Sequence, residues 1–195
     1  YKYIKENIQT LTCNDLYTIK ERFYNTCLEY KGDTKDLTGI TELIVSIFLK
    51  AFKDELNLSL KLENSVSKVG YNLRENELDY AFITPDEKIK YGISVKRANG
   101  SANLKDHEKN TTIINKFKRK IVIVQDLFRL DNIKKGSNGN FKSVTIIFKA
   151  FENRNDINTL KEILAEYEEY QHDYIILEGN LETLFPLLRN KLDIN

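Results

Sequence analysis

An aspartate, a serine and a lysine fall in two neighbouring runs of alternating polarity. The runs are Leu78-Asp79-Tyr80-Ala81-Phe82-Ile83-Thr84 and Ile89-Lys90-Tyr91-Gly92-Ile93-Ser94-Val95-Lys96, joined by Pro85-Asp86-Glu87-Lys88. If they pair as a hairpin closed by that four-residue loop, Thr84 faces Ile89, and counting back along both strands sets Asp79 opposite Ser94. Residues two apart on a strand share a face. Ser94 and Lys96 therefore point one way, and Ile89, Tyr91, Ile93 and Val95 point the other way into a core. Opposed residues have Cβ atoms about 5 Å apart, so a carboxylate, a hydroxyl and an ammonium would converge on one patch, enough to hold a metal and poise a water. Asp86 lies in the turn beside Pro85 and reads as turn chemistry.

The elements that position these groups follow from periodicity. Apolar positions at Ile8, Leu11, Leu16, Ile19, Phe23 and Cys27 predict one or two helices over 4–30, broken near Cys13-Asn14-Asp15 and ended by the Gly32–Asp36 stretch. Thr38 is placed as an N-cap for a helix from Ile40 to Asp54 that is apolar nearly all round. Glu42 stands in its first turn, where a carboxylate would be costly to bury unless a cation, donors or a wet cleft met it. Leu56–Leu62 alternates as a first strand, and the hairpin follows. A polar helix is expected from Ser101 to about Lys118, then a strand at Ile121–Val124, a strand over Phe141–Phe151, a helix over 154–170, a strand at Tyr174–Leu177 and a last helix over Leu181–Leu192. The order predicts an α/β protein with a mixed central sheet flanked by helices. One domain over 1–195 is expected, with a core about 38–126 and a C-terminal α/β extension about 141–195.

The 195 residues carry a net charge of only +1, so any nucleic-acid contact must come from local patches. Lys118, Arg119 and Lys120, with Arg97 and Lys105 nearer the hairpin, are the candidates for neutralising phosphates. At 41% hydrophobic and 30% charged the chain reads as soluble and globular, and its first residues do not read as a signal peptide, so a cytoplasmic protein is expected. Cys13 and Cys27 form no CxxC pair and read as reduced core residues. His107 and His172 have no companion at metal-ligand spacing, and no catalytic role is assigned to either.

The element order, with Asp on the second strand and x-x-Lys on the third, resembles the PD-(D/E)xK superfamily of restriction-endonuclease-like nucleases over roughly residues 38–126. Asp79 matches the metal-binding Asp of that family and Lys96 its water-orienting lysine, while Glu42 matches the helix glutamate that many members use. Ser94 departs from the pattern, standing where most members carry Asp or Glu. The chain is more similar to a subgroup that reads Ser-x-Lys and takes a glutamate from the following helix. Here Glu108 follows Lys96 with 11 residues between them. The resemblance implies a restriction-endonuclease-like fold and a metal-dependent endonuclease, most simply a type II restriction enzyme. In that reading Asp79, Glu108 and Glu42 hold Mg²⁺ (with Mn²⁺ a substitute), Lys96 and Ser94 complete the catalytic set, and a homodimer cuts double-stranded DNA. The alternatives are a catalytically inactive nucleic-acid-binding or interaction protein of the same fold, or a resolvase, repair or RNA-cleaving nuclease.

Overall fold

The computed structural model describes residues 1–33, 37, 39–97, 129–150, 158, 161–162, 165 and 171–194. The chain enters through α1 (Lys2–Glu6), then α2 (Cys13–Lys31) and α3 (Ile40–Glu55). The break predicted near Cys13 is set by a capping box. Thr12 accepts the Asp15 N–H at 3.0 Å, and the Asp15 carboxylate accepts the Thr12 N–H at 2.9 Å. Gly32, at φ 81°, closes α2 in the left-handed region that a side chain would resist. α3 starts from Gly39 with no side-chain cap. The predicted cap Thr38, the predicted elements at Ser101–Lys118 and Ile121–Val124, and most of the helix expected over 154–170 lie outside the described residues.

Five strands form one mixed sheet in the order β1-β2-β3-β4-β5: β1 (Lys61–Val69), β2 (Glu75–Ile83), β3 (Ile89–Lys96), β4 (Lys142–Ile147) and β5 (His172–Ile176). β1, β2 and β3 are antiparallel, whereas β3, β4 and β5 run parallel. The protein is thus α/β with a mixed sheet flanked by helices, and residues after 141 continue the sheet of the hairpin. Helix α4 (Leu184–Leu192) packs with α2 and α3 on one face. There Leu16, Phe48, Phe52, Leu184 and Leu188 meet Phe82, Ile93, Val144 and Ile175. A smaller cluster joins Leu78, Ala81, Ile83 and Ile89 to Leu130, Ile133 and Phe141 on the other face.

The alternating Leu56–Leu62 run is not the first strand. The helix ends at Glu55 and the strand begins at Lys61. Asn57, at φ 50°, breaks the extended path, and Leu56, Leu58, Leu60 and Leu62 all pack onto the main core. Burial of every second residue comes here largely from an irregular connector, which has the same polarity pattern as a half-buried strand.

Among the described residues β5 is an edge strand, and two of its outward backbone groups are taken by side chains. The Tyr174 N–H donates to Asp173 Oδ1 at 2.7 Å, and the Asn180 amide donates to the Ile176 carbonyl at 3.1 Å. Lys191 holds the other Asp173 oxygen at 2.6 Å. Among the described residues no helix is long and apolar enough to cross a membrane.

Candidate active site

The hairpin closes more tightly than the four-residue loop predicts. Thr84 donates its N–H to the Lys88 carbonyl at 2.9 Å, leaving Pro85-Asp86-Glu87 as the loop, with Glu87 left-handed at φ 62°. Ile83 then pairs with Ile89, but Phe82 pairs with Tyr91, so Lys90 is an extra, unpaired residue. The short loop and the bulge offset one another. Beyond the bulge Tyr80 faces Ile93, the register that sets Asp79 across from Ser94. One expectation fails as a result. Ile89 joins the smaller cluster on the opposite face from Tyr91, Ile93 and Val95, because the bulge turns the strand over between them.

A second irregularity lies at Asp79 itself. Leu78 and Tyr80, two apart on one strand, join opposite clusters, so β2 turns over between them. On the neighbouring strand Ser65 is left-handed, at φ 50°. The ladder with β3 stops at Tyr80, and the Asp79 carboxylate takes the next donor, the Val95 N–H, at 2.6 Å. The same oxygen, Oδ2, lies 3.8 Å from Lys96 Nζ, with the two side chains 24% and 20% exposed. Asp79 and Lys96 therefore come together as expected. Ser94 does not join them through a hydrogen bond: it is 2% exposed, and its hydroxyl has no partner among the described residues.

Glu42 is linked to β2 through its backbone carbonyl. The Tyr80 hydroxyl donates to the Glu42 backbone carbonyl at 2.8 Å, tying the first turn of the helix to the strand residue that follows Asp79. Burial pushes the Tyr80 phenol up to about 12, with the charges of Glu42 and Asp79 adding to the effect. The Glu42 side chain is exposed, so the argument from a costly buried carboxylate does not hold; α3 leaves a wet side at Glu42 and Leu43. Among the described residues no three His, Cys, Asp or Glu side chains gather as a metal-binding group. Glu108, Lys105, Lys118, Arg119 and Lys120 lie outside the described residues. Arg97 is exposed at the end of β3, and its guanidinium lies 5.5 Å from the Tyr24 ring centre. Lys20 approaches the same ring at 5.1 Å.

Sequence reasoning missed His172. Its imidazole bridges two hydroxyls of β4, Ser143 Oγ at 2.8 Å from Nδ1 and Thr145 Oγ1 at 2.9 Å from Nε2. Burial, and then the charges of Lys134 and Lys96, pull its pKa down to about 3, so the ring is neutral at ordinary pH. The signal was present as two hydroxyl residues alternating with Val144 and Ile146, followed by a histidine opening the next strand.

No protein-family model and no curated protein matches the chain. A solved structure, "Crystal structure of protein VC1899 from Vibrio cholerae", is similar at a TM-score of 0.45 and 13% identity. The likeness spans 99% of this chain but 55% of that one, so this chain covers about half the length of that protein. An overlap and identity this low say nothing about chemistry.

Proposed function

We propose that the chain is a metal-dependent nuclease that hydrolyses phosphodiester bonds in double-stranded DNA, a type II restriction endonuclease of the PD-(D/E)xK kind acting in the cytoplasm as a homodimer. The observation that carries the reading is the Asp79–Lys96 pair, held at 3.8 Å where the hairpin ladder gives way. A strand irregularity beside a carboxylate and an ammonium is a common way to re-aim side chains at a reacting centre.

Asp79 would be the first ligand of a shared ion site. Oδ2 of Asp79 serves Val95 and Lys96, which would leave Oδ1 as one charged oxygen for the ion. A hard cation such as Mg²⁺ or Mn²⁺ needs further oxygens, which Glu108 or Glu42 would supply. When bound, the ion would polarise the scissile phosphate and lower the pKa of a water. Lys96 would orient that water with its N–H donors and offset the negative charge that builds on phosphorus. Asp79 in turn would hold Lys96 in place. The unpartnered Ser94 hydroxyl would donate to a substrate oxygen.

The test is a digest of plasmid DNA by the purified chain with and without Mg²⁺. Discrete fragments that need the ion are expected. Salt-dependent DNA binding with no cleavage in Mg²⁺ or Mn²⁺ would overturn the reading in favour of an inactive nucleic-acid-binding protein, and cleavage of RNA alone would move the activity to another substrate.

A further inference from the structure

Among the described residues β1 is the sheet's other edge, and no described element bonds to the outward backbone of residues 61–68. Such an edge carries unmade backbone hydrogen bonds and is open to a further strand. Side-chain direction along β1 decides which strand fits. Leu62 and Asn64 pair with Phe82 and Tyr80 of the main core, whereas Glu63 pairs with Ala81 of the smaller cluster. Past the left-handed Ser65 this order reverses. Val66 pairs with Leu78 of the smaller cluster, so Val66 and Lys68 share the face of Glu63, and Ser67 and Val69 share the face of Leu62.

A second copy of the chain would meet this edge antiparallel, about a two-fold axis normal to the sheet, so opposed residues must share a face. In a plain strand that requires one residue to oppose itself at the axis. The reversal at Ser65 rules out every such register that spans β1. Two registers with the axis between neighbouring residues keep like faces together. One of them opposes Lys61 with Lys68 and Glu63 with Val66. The other, with the axis between Ser65 and Val66, opposes Leu62 with Val69, Glu63 with Lys68 and Asn64 with Ser67, each pair occurring twice by symmetry. Val69, 53% exposed, gains an apolar cover in that register. Lys68 donates one N–H to the Glu87 carbonyl at 3.1 Å and has two more to give, while Lys61 of the same strand holds Glu63 in place.

We propose that β1 pairs with β1 of a second copy in this register, joining two five-stranded sheets edge to edge in a symmetric dimer. The pairing stands on the edge and its side chains, and it rests on the nuclease reading only for its use. Ser65 lies across from Asp79, between the pairs Asn64–Tyr80 and Val66–Leu78. The two copies of Asp79 are then three strand spacings of about 4.8 Å apart, or about 15 Å with the one-residue offset, and the axis keeps them on the same side of the sheet. That separation is comparable with the width of the DNA major groove, about 12 Å, and brings two sites to one duplex.

Sedimentation equilibrium over a concentration series, without DNA, tests the interface. The parent should dimerise. Glu63→Lys and Lys68→Glu each oppose like charges twice and should raise the dimer dissociation constant about tenfold or more. The two changes together swap the pair and should recover the parent value within about threefold. Val69→Asp alters an exposed side chain that the fold does not rely on, sets a carboxylate against Leu62, and should weaken the dimer as well. Thermal melts of the dilute chains check that each variant folds, and Val69→Asp decides if a charge reversal does not. A parent that stays monomeric overturns the interface, and so do folded single variants that dimerise like the parent. A dimer weakened by both reversals but not restored by the swap overturns the register. Plasmid cleavage by a monomeric parent defeats the interface alone. A dimer that follows the charge swap yet cuts nothing supports the interface and defeats the nuclease reading.

Discussion

The Asp79 carboxylate accepts the Val95 N–H at 2.6 Å, in the place where a backbone carbonyl of β2 would continue the ladder. One side chain thereby closes the sheet and holds Lys96, so its structural and chemical duties can be separated by choice of substitution.

Asp79→Asn keeps an oxygen for Val95 but loses the charge, whereas Asp79→Ala loses both. Cleavage should vanish in each. The alanine variant should also lose about 1–3 kcal/mol of stability through the unpaired Val95 N–H, while asparagine loses less. Urea melts beside plasmid digests check this; equal melts would show that the carboxylate does not complete the ladder.

Ser94 is buried with an unpartnered hydroxyl, so Ser94→Ala should leave stability level or raise it by up to ~1 kcal/mol. The same change should slow cleavage if the hydroxyl serves substrate. A loss of stability would mean that the hydroxyl has a partner in the folded chain. Ser94→Glu, by contrast, places a larger, charged group at a closed position and should destabilise the fold.

His172 titrates near 3 when folded, against an ordinary 6.5. Between those values the unfolded chain binds a proton that the native chain refuses. Stability from this residue is therefore full above pH 6.5 and falls as the pH drops toward 3. The slope should reach about 1.4 kcal/mol per pH unit and flatten in His172→Gln. Denaturant midpoints from about pH 7 down to pH 4.5 measure it; a parent and variant that fall together would assign the loss to other groups.

Replacing Lys118, Arg119 and Lys120 together should lower the slope of log affinity for DNA against log salt by about 2–3, since each phosphate contact releases a counterion. Filter binding over a salt series checks it, and an unchanged slope would place the duplex elsewhere.

The Asp79–Lys96 pair was legible in the sequence because a loop one residue shorter than predicted is offset by the extra Lys90, which restores the expected register at Tyr80 and Ile93. The reversal of Ile89 was not legible, since a bulge leaves no mark on composition. Nor was the turnover at Asp79, which hydrophobic alternation conceals by giving Leu78 and Tyr80 the same parity. Leu56–Leu62 misled because a core can bury alternate residues of an irregular chain. His172 was passed over because its partners are hydroxyls on the neighbouring strand, 27 and 29 residues away, whereas ligand spacing looks for histidines, cysteines and acids close by.

The capped margin of β5 bears on how two copies could meet. A second chain adding a strand there would have to displace Asp173 from Tyr174 and Asn180 from Ile176, trading contacts already made for new ones of the same kind. Growth of the sheet across a two-fold axis at that side therefore gains little. A dimer that reaches both strands of a duplex would instead be built through the opposite edge at β1 or through helical or loop surfaces. The spacing of its two cuts would then follow from how those surfaces set the separation between the two Asp79 carboxylates.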